Sequence, residues 1–154
     1  MADAPFVPVE FSVPKGLDTP LFTLEPLGPQ HNERDYAAWS SSMEHIHASP
    51  GFETWRWPYE MTLEKNLRDL EGHGRDFAMR TGFTYSVLAS GTDTVIGCVY
   101  IYPDRDEDAD ARVRSWVRAE SAELDLPLRR VVSDWLEASW PFERVEYAGL
   151  DLPG

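Results

Sequence analysis

The sequence predicts an α+β fold, a mixed and mostly antiparallel central sheet flanked by helices in the order β-α-α-β-β-β-α-β. Three observations carry that expectation. Apolar residues recur at a period of two in some stretches and about 3.6 in others, so strands and helices both occur. Two β-rich runs, Phe83–Ala89 and Thr94–Pro103, are joined only by the turn residues SGTD, which marks a hairpin. Only the last two strands are separated by a single helix, so that pair alone is expected to run parallel, through a right-handed crossover.

Taken in order, residues 1–20 hold Pro5, Pro8, Pro14 and Pro20 without any helical period. They predict an extended N-terminal arm whose Phe6, Val9, Phe11 and Val13 lie along the body, and residues 21–154 form the domain. LFTLEPL sets Leu21, Thr23 and Glu25 against Phe22 and Leu24, a strand pattern ended by Pro26. Tyr36, Trp39, Met43 and Ile46 then recur at helical spacing, placing one helix near 32–47 that Pro50 and Gly51 stop. An aromatic loop follows, with Phe52, Trp55, Trp57 and Tyr59 close together. Thr62 reads as the N-cap of a second helix carrying Leu63, Leu67 and Leu70, with Gly72 and Gly74 as its stop. After the hairpin and the acidic link DRDEDAD, ARVRSWVR alternates Ala111, Val113, Ser115 and Val117 against Arg112, Arg114, Trp116 and Arg118. Leu124, Leu128, Val131, Val132, Trp135 and Leu136 form the stripe of a third helix, Pro141 ends it, and ERVEYAGL is the last strand.

Composition narrows the function. Fourteen basic against 27 acidic residues leave a net charge of −13, which argues against nucleic acid or an anionic membrane as partner and suits amine-bearing ones. The single cysteine, Cys98, excludes an intramolecular disulfide and a Cys-rich zinc site. Nothing approaches the roughly 20 apolar residues of a membrane span. MADAPFVPVEF has neither the basic start nor the apolar core of a signal peptide, which points to the cytoplasm. His45 and His47, two apart on a helix, point about 200° away from each other and make no metal pair. Glu44 with either histidine reads first as a solvated helix face. The arginines at 112, 114 and 118 share one strand face and need partners, either Glu143 and Glu146 or an anionic ligand.

Three stretches, LFTLEPLGPQHNERDYAAW, VIGCVYIYP and WVRAESAELDLPLRRVVSDWL, carry a resemblance to the GNAT superfamily of acyl-CoA-dependent N-acetyltransferases over roughly residues 21–150. The resemblance implies transfer of an acetyl group from acetyl-CoA to an amine by direct attack across the splay between the fourth and fifth strands. It places Trp116, Val117, Arg118 and Arg129 beside the cofactor, and Trp55, Trp57 and Tyr59 on the acceptor side, where aromatic rings suit a cationic amine; the same rings read equally as a cover for the core or a dimer interface. No CxxC or HExxH occurs beside His45 and His47, so no metal is expected. The chain departs from the family at the turn before the third helix. There the family holds the cofactor pyrophosphate on a glycine-bearing motif at a helix N-terminus, and here Glu120, Ser121 and Glu123 stand in its place. No glycine occurs between Gly97 and Gly149. A carboxylate about 4 Å from a phosphate charge is repelled by roughly 1 kcal/mol in water and about 4 kcal/mol at a partly buried site.

The same acids have a second reading as self-caps. Acids favour the first turn of a helix, a carboxylate accepts its free N–H groups, and Pro127 suits a helix that starts near Asp125. A degenerate cofactor turn and a capped helix thus both stand on the sequence. The family continues past the fifth strand into a helix that often carries an acid tyrosine, whereas this sequence stops at Gly154. That expectation brings in a homodimer whose second copy, or the arm, supplies the surface. The alternative function is a catalytically inactive GNAT-fold binding or assembly protein that does not bind CoA in the usual way.

Overall fold

A computed structural model describes residues 5–106 and 108–150. Residues 1–4 of the expected arm, Glu107 of the acidic link and residues 151–154 lie outside the described residues. One six-stranded sheet runs in chain order, β1 (Leu17–Asp18), β2 (Phe22–Pro26), β3 (Phe83–Ala89), β4 (Val95–Tyr102), β5 (Ala111–Val117) and β6 (Val145–Tyr147). All neighbours are antiparallel except β5 and β6, which are parallel as the single intervening helix requires. The helices are α1 (Asn32–Ser40), α2 (Met43–His47), α3 (Leu63–Met79) and α4 (Asp125–Ser139).

The alternation along the strands sorts the core into two layers. Tyr85, Val87, Val99, Ile101 and Val113 face α4, whose Leu128, Val132, Trp135 and Leu136 are buried against them. On the other face Cys98 and Trp116 meet Ala38 and Trp39 of α1, Ile46 of α2 and Phe52 of the following loop. Gly97 is required between β4 and β5. A Cβ there would collide with the Trp116 carbonyl, so only glycine lets the two strands close at that point.

Four local expectations are corrected. The single helix over 32–47 is two, because Ser41 turns its hydroxyl back to the carbonyls of Ala37 and Ala38 (2.9 and 3.1 Å) and competes with the helical ladder. Thr62 does cap α3, accepting from the Lys65 N–H at 3.0 Å, but the helix runs through Gly72 and Gly74 to Met79. Helical glycine costs about 1 kcal/mol, and packing against α1 and β3 overrides it; α3 ends at Arg80 with φ 61°. Leu17–Asp18 of the arm form β1 on Thr23–Leu24, extending the sheet by a strand. Val9 of the arm is 83% exposed, and Val7 is the buried one, beside Phe6, which stacks on Phe83 and Phe142.

Candidate functional site

The ladder between β5 and β6 is short. Ala111, Arg112 and Val113 pair with Val145, Glu146 and Tyr147, and the Ala148 N–H donates to the Val113 carbonyl at 3.1 Å. Beyond that point the outer edge of Ser115–Val117 has no strand partner among the described residues. Arg129, one turn into α4 and 2% exposed, reaches into this gap. Its guanidinium donates to the Ala148 carbonyl on one side and to the Ser115 carbonyl (3.4 Å) on the other, while its Nε–H donates to Asp125 at 3.2 Å. Gly149, at φ +87°, leaves the room, since a Cβ there would overlap the guanidinium. Arg129 thus stands inside the splay rather than at its mouth.

At the turn, α4 starts at Asp125 as expected, but a 3-10 turn over Ala119–Leu124 precedes it. This overturns the self-capping reading. The inserted turn puts apolar Leu124 at the N-cap, and no side chain caps the helix. Asp125 turns back to Arg129, and Glu120, 81% exposed, reaches only Arg118 at 3.7 Å. Three amides of the turn are already committed. The N–H of Arg118 donates to Ile96 (2.8 Å), that of Ala119 to the Ser42 hydroxyl (2.9 Å) and that of Ser121 to Arg118 (2.9 Å). One donor is free: the Arg118 Nε–H is buried without an acceptor. A buried unpaired donor of this kind costs about 1–3 kcal/mol. The committed amides leave fewer backbone donors for an anionic group at the turn. A hollow of about 380 Å³ beside it is bounded by Ser42, Glu44, His45 and Ala119.

A larger cleft, about 1270 Å³, lies between α3, the 52–61 loop and the face of β4 and β5 opposite α4. Trp55 and Trp57 line it. Trp55 is 37% exposed and carries the Arg114 guanidinium 4.4 Å above its ring. Trp57 packs on Trp39 (5.7 Å) and Trp116 (5.9 Å). Tyr59 stands apart, stacked with Arg56 at 5.0 Å and outside the cleft lining. Trp116 is fully buried with its indole N–H on the Tyr100 hydroxyl (2.9 Å), and its carbonyl faces Gly97 of β4, so neither its side chain nor its carbonyl is turned to the outer edge. Arg112 takes Glu146 (3.2 Å) as expected, with Asp104 (3.1 Å) and Asp106 (3.8 Å) in place of Glu143. His47 is not a solvated helix residue, because its ring holds the loop through the Pro58 carbonyl at 2.6 Å.

The cleft also gathers residues that sequence reasoning did not single out. Asp35, 4% exposed, accepts from Asn66 Nδ2 (3.1 Å) and from the Cys98 thiol (3.5 Å). Burial pushes its carboxyl above the usual range. On the far wall Tyr102 donates its hydroxyl to Asp76 (2.9 Å) and so faces His73 Nδ1 (3.0 Å) as an acceptor, which makes Nδ1 the protonated ring nitrogen. Burial holds that imidazole below its ordinary value and keeps it neutral. The signal for Asp35 was present in the sequence as an acid four residues before Trp39, on the apolar stripe of a helix. His73 and Tyr102 meet only in three dimensions. Among the described residues no group of three or more His, Cys, Asp or Glu side chains is arranged to hold a metal, and no helix is long and apolar enough to cross a membrane.

A mostly antiparallel sheet with one parallel terminal pair, a crossover helix and a cleft beside the parting strands defines the GNAT acetyltransferase fold. Solved structures agree. The chain is similar to the ribosomal-protein-S5-alanine acetyltransferase from Vibrio fischeri (14% identity, TM-score 0.65), over 86% of this chain and 72% of that one. It is similar to the microcin C7 self-immunity acetyltransferase MccE, solved with acetyl-CoA and AMP (11% identity, TM-score 0.58, 82% of this chain and 69% of that one). It is also similar to RimL, a ribosomal L7/L12 alpha-N-protein acetyltransferase (9% identity, TM-score 0.58, 77% of this chain and 62% of that one). At such identities the likeness shows the fold alone. No family model and no curated protein matches the sequence.

Proposed function

We propose that the chain is an acyl-CoA-dependent N-acetyltransferase acting on an amine acceptor in the cytoplasm. The observation that carries the proposal is the parting of β5 and β6 after Val113, which leaves Ser115–Val117 without a strand partner among the described residues, buried beneath Arg129 and beside a cleft with aromatic walls. MccE, which shares the fold, was solved with acetyl-CoA. Bound along that edge, acetyl-CoA supplies a thioester carbonyl open to an amine. The chain's own contribution is positioning. The outer-edge backbone of Val117, uncovered when Arg129 withdraws, holds the pantetheine arm, Arg118 offers its Nε–H to the diphosphate, and Trp55 and Trp57 flank a cationic acceptor. A second copy covering the outer edge of β6 is part of the proposal, and light scattering that finds only monomer removes it.

One observation favours the second reading, a GNAT-fold binding or assembly protein without CoA. Arg129 already bridges the splay, so the arm enters only if that guanidinium withdraws. Acetyl-CoA titration of Arg118→Gln and Arg129→Met beside the wild type separates the two. The acetyltransferase reading expects saturable wild-type binding that Arg118→Gln weakens about tenfold, the worth of one charge-assisted hydrogen bond. Absence of binding to the wild type, with binding gained in Arg129→Met, supports the second reading.

A further inference from the structure

Of the charged side chains that line the large cleft, Asp35, Arg75, Asp76, Arg105 and Arg114 make no ion pair among the described residues; Arg75 and Arg105 are exposed and Asp76 accepts from Tyr102, which leaves Asp35 and Arg114, of opposite sign. Asp35 has only neutral partners, the Asn66 amide and the Cys98 thiol, and no lysine or arginine lies within ion-pair distance among the described residues. The nearest base, His31, is itself fully buried and bonded to Glu25 at 3.0 Å. Asn66 is held in turn by Trp39 (3.1 Å) and Asn32 (2.9 Å), so the carboxyl cannot turn away from the cleft floor. A buried carboxylate without a cation is costly unless a ligand or a proton neutralises it.

Arg114 is the complement. Its neighbour Arg112 takes the three nearby acids, Asp104, Asp106 and Glu146, whereas Arg114 makes no ion pair among the described residues and rests flat on Trp55. Its planar fork is presented at the lip of the cleft, where a bidentate carboxylate fits. The sheet register sets the spacing. Cys98 pairs with Trp116 and Tyr100 with Arg114, so Cys98 and Arg114 are diagonal neighbours on one face, about 7–8 Å apart. Asp35 sits on Cys98. The two charges thus come from separate positions on the sheet face, which suits an ammonium and a carboxylate carried at the two ends of a chain rather than on one carbon. Between them Trp57 and Tyr100 supply an apolar wall for a methylene chain.

We infer that the cleft binds a small zwitterion of the ω-amino-acid type, its ammonium on Asp35 and its carboxylate on Arg114. The inference rests on the cleft being the acceptor side, and it is tested without cofactor so that it stands or falls separately from acetyl-CoA binding. Calorimetry or amide chemical-shift titration compares 5-aminopentanoate with pentanoate and with pentylamine. The zwitterion is expected to bind about tenfold tighter than either single-charge analogue. Asp35→Asn should bring it down to the affinity of pentanoate, and Arg114→Gln to that of pentylamine. Arg114 lies at the lip, so its variant keeps the test alive if Asp35→Asn does not fold. Binding of none of the three compounds, or equal binding that neither variant changes, overturns the inference. Zwitterion binding with no acetyl-CoA binding leaves it standing and removes the transferase reading.

Discussion

Asp35 shows how one residue ties stability to the cleft. Burial raises its carboxyl above the ordinary value of 3.8, so the folded state holds a proton that the unfolded state releases. Where the folded chain binds more protons, stability falls as pH rises. The contribution is complete below 3.8 and is lost as pH climbs through the raised folded value. Asp35→Asn removes that dependence. Urea melts across pH should find the variant more stable than the wild type at neutral pH, with the gap closing as pH falls toward 3.8; a gap that does not change with pH contradicts the assignment. Gly97→Ala tests the other residue on which the site rests. Its Cβ would meet the Trp116 carbonyl, and forced overpacking of this kind costs about 1–3 kcal/mol. Thermal melts should show that loss, and a neutral result would mean that β4 and β5 separate without penalty.

Between elements, the determining contact is Arg129 across β5 and β6. Arg129→Met should leave the Ser115 and Ala148 carbonyls without a donor, each worth about 1–3 kcal/mol. Hydrogen exchange should speed at the Ala148 amide, which donates to Val113 beside the gap; unchanged exchange and melting would show that water replaces the guanidinium freely. At this scale the sequence was most readable where one periodicity ran uninterrupted. The α4 stripe and the β3–β4 hairpin stand as expected because apolar spacing, turn residues and Pro141 all agree. The break between α1 and α2 was hidden, because serine hydroxyls competing with a helical ladder leave the apolar spacing intact. The length of α3 was hidden for the opposite reason, since tertiary packing outweighs two glycines. The 3-10 turn before α4 defeated the capping argument, which assumed that the acids stood at the helix start.

At the scale of the molecule, strand order and the parallel terminal pair were legible in the chain, and the large cleft was not. Its walls come from α1, α3, the 52–61 loop, β4 and β5, elements far apart in sequence, so no local pattern announces their meeting. The aromatic loop gave a partial signal: Trp55 and Trp57 reach the cleft and Tyr59 does not. What the whole fold offers a cofactor is a strand edge without a strand partner, covered by Arg129, an arginine donor without an acceptor at its end and a sequence of net charge −13 that disfavours anions at long range. Thermal melts against increasing acetyl-CoA test whether this edge takes the cofactor, because a ligand that binds only the folded state must raise its stability. A saturable rise in melting temperature that Arg118→Gln diminishes is expected. No rise at millimolar acetyl-CoA, with no heat in a matching titration, contradicts it.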